Sequence, residues 1–448
     1  MTAVLLIADS DSQLLYCEAL ARTKAATGIE LTINLIPRDG TPKAVIQRMR
    51  RLGTVQERSM AALLRDSQLN RYAGIGVFLT GSKLAEFRSA YHQSRHQQAP
   101  PRALLFCGFN GVVLERFEEA ITWRLGYDLI CLNGPRDQVR FERFLRHTPF
   151  QSQRTLLTGL GRSHVAQTKP LSSRPRRLVF AEQVALPALP QERQEMVRHL
   201  VALARRCPDW QIVLKPRVAP HEATFHEIGE HISTTLERLC PRRPPNLTVS
   251  YEALPALLAE SRLFATLSST AFFDALDHGC IPLVMGDFGV RADLGTVFFG
   301  GSGMLVELGQ IQDLEALLGL RVNPDWLEWV GYGSTYTPAE LFVILRRHGA
   351  GRAGSDGTSP SLQPRDQPPR LQQRGYVVNS GELSTNQLRV GAEQAIDERD
   401  YGEAAKLLEM AALQRPDNAN IRRRLVAVRA GNRLVRRLLL LATPRFKL

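Results

Sequence analysis

Through the first 150 residues, short apolar runs alternate with longer stretches whose apolar positions recur every three or four residues. AVLLIAD (3–9), IELTINLIP (29–37), GIGVFLTG (74–81), RALLFCGF (102–109) and YDLICLNG (127–134) have the length and content of buried strands. SQLLYCEALARTKAA and GVVLERFEEAITWRLG, lying between them, carry helical spacing. Such alternation predicts a parallel sheet covered by helices on both faces. The pattern breaks at the basic, Ser-rich stretch 161–177 and resumes with RLVFAEQVALP, WQIVLKPR, NLTVSYE, RLFATLSS and IPLVMGD. The chain is therefore expected to be an α/β protein with two Rossmann-like, doubly wound domains, 1–160 and 178–348, facing across a cleft and joined by 161–177. Ligands of such sheets bind beyond the carboxyl ends of the strands. From 349 to 375 apolar residues nearly vanish, which predicts a disordered linker reaching 383, and residues 384–448 predict a small all-α tail.

Length agrees with this division, since 448 residues exceed one ordinary core. A net charge of +13 would suggest nucleic acid until it is located. From Ile421 to the end there are nine Lys or Arg and no acid, which leaves only +4 for the rest. That basic end is nearly free of aromatics, so stacked bases, and with them a nucleic-acid partner, are not expected. Six cysteines (17, 107, 131, 207, 240 and 280) lie scattered without metal-ligand or CxxC spacing, as free thiols do in a reducing compartment. No basic segment precedes the first apolar run, and no stretch approaches the roughly 20 apolar residues of a membrane span. A cytoplasmic protein is expected, with residues 421–448 open to peripheral contact at the inner face of the membrane or to a protein partner.

Candidate chemistry gathers at strand ends. In LSSTAFFDALDHGCIPLVMGD (267–287) a strand hands over to a helix through Ser268, Ser269 and Thr270, hydroxyls placed where a helix offers unpaired N–H groups to phosphate. Simple helix capping is the alternative. IVLKPR sets Lys215 and Arg217 at another strand end, as cations for a departing phosphate or as a solvated basic turn. IADSDS sets Asp9 and Asp11 at the end of the first strand, as a general base or as helix caps. Arg136 and Asp137 in NGPRDQ follow a further strand end and are candidates to face an acceptor. His221 and His226 lack metal-partner spacing, and Glu115, Glu118 and Glu119 read as a solvated helix face.

DALDHGCIP resembles the E-A-x-x-x-G-x-P run in the C-terminal domain of GT-B glycosyltransferases. That resemblance implies Asp274 as the ribose ligand, with Asp in place of the usual Glu, and Ser268, Ser269 and Thr270 as phosphate donors. IVLKPR is similar to a strand end of bacterial sialyltransferase-like, polysialyltransferase-like and capsule-assembly enzymes. Together with ADSDS, GFNGVVLERFEEA, YDLICLNGPRD and WLEWVGYG, these segments resemble one bacterial glycosyltransferase family, a domain of unknown function, over residues 1 to about 348. The resemblance implies GT-B architecture, a nucleotide-sugar co-substrate, no further cofactor and no metal. It places the donor on the second domain and a glycan or lipid-linked acceptor on the first. Inverting transfer would use Asp9 or Asp11 as base and Arg217 at the leaving phosphate. A nucleotide-sugar epimerase or hydrolase on the same fold, and a non-catalytic adaptor, are the alternatives. YGEAAKLLEMAALQRP resembles a tetratricopeptide repeat through Tyr401, Ala404, Leu408, Ala411 and Pro416, although one repeat makes no stable solenoid. The last 28 residues interleave Arg with Leu and Val as interfacial helices do; leucines packed on the hairpin beneath solvated arginines are the alternative.

Overall fold

The computed structural model describes residues 2–23, 28–36, 43–95, 102–109, 111–114, 117–146, 150, 152–160, 169–220, 230–333, 335–354, 385–415 and 418–445. Two compact units result, one from residues 1–132, 136–158 and 337–448, the other from 133–135 and 159–336.

The first unit is built on seven parallel strands: β1 (Thr2–Ala8), β2 (Ile29–Leu35), β3 (Thr54–Glu57), β4 (Gly74–Phe78), β5 (Leu104–Cys107), β6 (Leu129–Leu132) and β7 (Thr155–Leu157). Their order is β3-β2-β1-β4-β5-β6-β7, so the winding reverses between β1 and β4. The helices are α1 (Asp11–Thr23), α2 (Lys43–Arg50), α3 (Met60–Arg65), α4 (Ser82–Arg95), α5 (Phe117–Thr122) and α6 (Pro135–Leu145). Strand side chains alternate between faces, and β1 shows the consequence: Leu5 and Ile7 join one core while Val4, Leu6 and Ala8 join the other. Both faces are therefore buried, which is why the strands read as unbroken apolar runs. Gly76 leaves room for this packing, since a Cβ there would lie 2.5 Å from the Phe106 ring.

Six parallel strands form the second sheet: β8 (Arg177–Ala181), β9 (Gln211–Lys215), β10 (Leu247–Val249), β11 (Leu263–Thr266), β12 (Ile281–Met285) and β13 (Leu305–Val306). Their order, β10-β9-β8-β11-β12-β13, repeats the reversal between its first and fourth strands. Helices α7 (Pro190–Arg206), α8 (Ile232–Leu239), α9 (Leu254–Ala259), α10 (Ala271–Asp277) and α11 (Pro324–Val330) complete this unit. Both sheets are thus α/β and Rossmann-like.

Three expectations change. Helix α12 (Ala339–Gly354) buries Leu341, Phe342 and Leu345 in the β1–β2 face of the first unit, so residues 337–348 belong there and not to the second domain. It also carries helix through 349–354, where a linker was expected; residues 355–384 fall outside the described ones. Among the described residues of GVVLERFEEAITWRLG, Phe117–Thr122 is helical, and Gly111 adopts a φ of 134° that no right-handed helix can contain.

The tail comprises α13 (Thr385–Asp397), α14 (Tyr401–Gln414), α15 (Ala419–Arg429) and α16 (Arg433–Ala442), each packed on the next. Leu388, Ala392, Ala395, Ala404, Leu408 and Ala411 form its core. Ala392 and Ala395 of α13 and Ala404 and Ala411 of α14 are the small residues of this core, and they let the two helices approach closely. All six cysteines are buried and free, and burial pushes the Cys107 and Cys280 thiols up to about 12. Among the described residues, no helix is long and apolar enough to cross a membrane.

Candidate active site

In the second unit, one register row crosses the sheet at its carboxyl edge: Lys215 of β9 pairs with Ala181 of β8, which pairs with Thr266 of β11. At about 4.8 Å per strand, Lys215 and Thr266 lie roughly 10 Å apart. Winding reverses between β8 and β11, the point at which open α/β sheets leave a ligand crevice. Lys215, Arg217, Ser268, Ser269 and Thr270 fall within a few residues of this row, and Asp274 follows on the first turn of α10.

The row is braced by two residues that follow β8. Gln183 accepts the Ser268 N–H at 2.8 Å through Oε1, and its Nε2 lies 3.5 Å from Ser268 Oγ. Thr266 adds a hydroxyl bond to the Ala181 carbonyl at 3.1 Å. Glu182, buried, pairs with the Arg193 guanidinium and accepts the Arg217 N–H at 3.0 Å through its other oxygen. Glu182 therefore fixes the turn that carries Arg217. Pattern reading passed over both residues because RLVFAEQVALP looked like one strand; the signal was the polar pair that ends its apolar run.

The three hydroxyls of the turn differ. Ser268 is wholly buried and engaged with Gln183, which corrects its expected place among the phosphate donors: it shapes the turn from inside. Ser269 is half-buried, and its Oγ accepts the Ala271 N–H at 3.2 Å, as a capping hydroxyl does. Thr270, also half-buried, precedes α10 without a side-chain capping bond. Asp274 lies on the first turn of α10, half-buried. Gly279 ends the element at φ 68°, the left-handed conformation that favours glycine at a helix end. Lys215 donates to the Pro216 carbonyl at 3.1 Å, and the Arg217 guanidinium is exposed with no ion pair among the described residues.

The corresponding reversal in the first unit is occupied by Asp9. Its carboxylate is fully buried, taking the Thr80 hydroxyl at 3.1 Å on Oδ1 and the Lys83 ammonium at 3.1 Å on Oδ2. Gln13 ties this group together, bonding both the Asp9 N–H at 2.7 Å and Thr80 Oγ1 at 3.1 Å. A base must reach the proton it takes, and in this arrangement Asp9 joins the ends of β1 and β4 instead. Asp11 opens α1, and its side chain lies outside the described ones. Arg136 and Asp137 are largely buried and pair with each other at 3.1 Å, which turns them inward from the acceptor role considered for them. Glu118 is not freely solvated either, since it accepts from Arg140 at 3.0 Å. His221, His226 and Glu115 are outside the described residues.

A family profile described as "Putative glycosyltransferase (DUF6716)" matches residues 4–339. A search of curated proteins finds no match. Among solved structures, the chain is similar to Arabidopsis thaliana UGT89C1 complexed with UDP, at 11% identity and a TM-score of 0.49, covering 78% of this chain and 100% of that one. It is also similar to CalG4, the calicheamicin glycosyltransferase, at 13% identity and 0.43, covering 79% and 100%. A third similar structure is the S. aureus MnaA–UDP complex, at 9% identity and 0.48, covering 81% and 99%. The structural likenesses are distant, whereas the sequence match spans most of the chain: this protein belongs to the DUF6716 glycosyltransferase family.

Proposed function

We propose that the protein transfers a sugar from a nucleotide-sugar donor to a glycan or lipid-linked acceptor, with the donor nucleotide held at the carboxyl edge of the second sheet. The observation that carries this reading is the row Lys215–Ala181–Thr266, near whose ends stand an exposed guanidinium, two half-buried hydroxyls and Asp274 at one strand-end reversal. Ser269 and Thr270 would meet the diphosphate, Asp274 the ribose hydroxyls, and Arg217, with Lys215 behind it, the charge that grows on the departing phosphate. A fixed cation stabilises that charge without reorganising, because Glu182 already holds its backbone. With leaving-group charge met by side chains, transfer would proceed without a bound metal, and an acceptor hydroxyl deprotonated on the opposite face of the sugar would give inversion. Asp11 is the remaining carboxylate candidate for base among those read from the sequence.

The test is release of nucleoside diphosphate from a panel of UDP-, GDP- and dTDP-sugars by the full chain, with and without bacterial glycan acceptors. Arg217→Ala should lower turnover at saturating donor by roughly 10²-fold and leave thermal stability unchanged, because its guanidinium is exposed. Normal turnover in that variant would remove Arg217 from the mechanism. Release that ignores acceptor would turn the reading toward hydrolysis.

A further inference from the structure

Helix α16 is built inside out. Of its apolar side chains, Leu440 packs on the tail's core, while Leu434 is 68% exposed, Leu438 60% and Leu441 76%. Spacings of four and three put these exposed leucines on one stripe. Val435, at 45%, borders it, and Val426 of α15 is another exposed aliphatic, at 64%. What holds α16 to the tail is largely polar. Arg424, buried on α15, pairs with the equally buried Glu393 of α13 and donates to the Leu440 carbonyl at 2.8 Å and to Thr443 Oγ1 at 2.9 Å. Arg436 covers the Tyr401 ring at 4.3 Å and donates to the Ala430 carbonyl at 2.9 Å. The helix is thus fixed by arginine and carbonyls on its inner side, and its leucines are left for something outside.

Charge selects the occupant. Arg433 and Arg437, four residues apart and both exposed, run alongside the leucine stripe, and Arg422 and Arg423 are exposed on α15. No acid lies between Ile421 and the end of the chain. A second copy of α16 laid against the first would bring like charges together, whereas an anionic surface would meet all of them. The stripe is purely aliphatic and lacks the aromatic anchors typical of protein–protein hot spots. A leucine face flanked by arginines whose stems can lie along apolar surface is the arrangement of a helix that rests in a lipid interface. We propose that α16 is a membrane-docking helix that seats Leu434, Leu438 and Leu441 among the acyl chains of an anionic bilayer, with Arg433 and Arg437 at the headgroups.

This inference stands apart from sugar transfer, and so does its test. The full chain is floated with phosphatidylcholine vesicles, with and without phosphatidylserine, at low and high salt. Expected is binding to the anionic vesicles that weakens with salt and falls roughly tenfold or more in a Leu434→Gln/Leu438→Gln/Leu441→Gln variant. Circular dichroism checks that the variant keeps its helices. An Arg433→Gln/Arg437→Gln variant, which leaves the leucines intact, should lose affinity for anionic vesicles selectively. Three results would each overturn the proposal: no vesicle binding at low salt, equal binding by both variants and the wild type, or leucine-dependent self-association in sedimentation without vesicle binding.

Discussion

Ser269 and Thr270 sit side by side yet meet different neighbours, so their variants should separate structure from binding. Ser269 satisfies the Ala271 N–H, and Ser269→Ala should cost about 1 kcal/mol of stability. Thr270 makes no capping bond, and Thr270→Ala should stay within about 0.5 kcal/mol of wild type. Urea midpoints measure both, and nucleotide affinity should fall in each if both hydroxyls meet phosphate. A Thr270→Ala variant with lower stability and unchanged affinity would make the turn a cap and nothing more. At this scale the sequence disclosed residue types at strand ends but not which way they face. Ser268 and Ser269 look alike in a string of letters, and only the Gln183 amide, 85 positions away, turns Ser268 inward. Asp9 likewise reads as an available carboxylate until Thr80 and Lys83, from the neighbouring strand's end, close on it.

At the scale of elements, α4 carries a pH-sensitive residue in His92. Burial, together with the Arg102 charge, pushes its ring down from 6.5 to about 4. Below pH 6.5 the unfolded chain binds a proton that the folded chain refuses, so this residue makes stability fall as pH drops from about 6.5 to 4. His92→Gln should flatten that part of the profile, measured as urea midpoints at pH 7 and pH 4.5. An equally steep loss in the variant would place the sensitivity elsewhere. Most of the ten legible strands are buried on both faces and read as continuously apolar runs; β10, a three-residue edge, was legible from its β-branched residues. The strands that escaped, β3, β7 and β13, are edges of four, three and two residues, and TVQE in β3 has hardly any apolar signal to offer. Helix α12 was misallotted for a different reason. Periodicity shows that Leu341, Phe342 and Leu345 share a buried face, but not which sheet receives it.

For the whole molecule, two sheets with the same reversal of winding present two strand-end groups of opposite character. One is the carboxylate network around Asp9, the other the basic and hydroxyl-bearing turns around Lys215, Arg217 and Thr270. The excess positive charge belongs to neither group, being carried by the last 28 residues. A nucleotide should therefore choose the second unit. Calorimetric titration of the full chain with UDP, GDP, dTDP and CMP tests this most directly, carried out on the wild type and on Asp274→Asn. One of the four should bind with one-to-one stoichiometry, and Asp274→Asn should weaken it roughly tenfold or more while circular dichroism shows the variant keeping the wild-type fold. Failure of all four to bind the wild type, or equal affinity in the variant, would contradict a nucleotide site at the carboxyl edge of the second sheet.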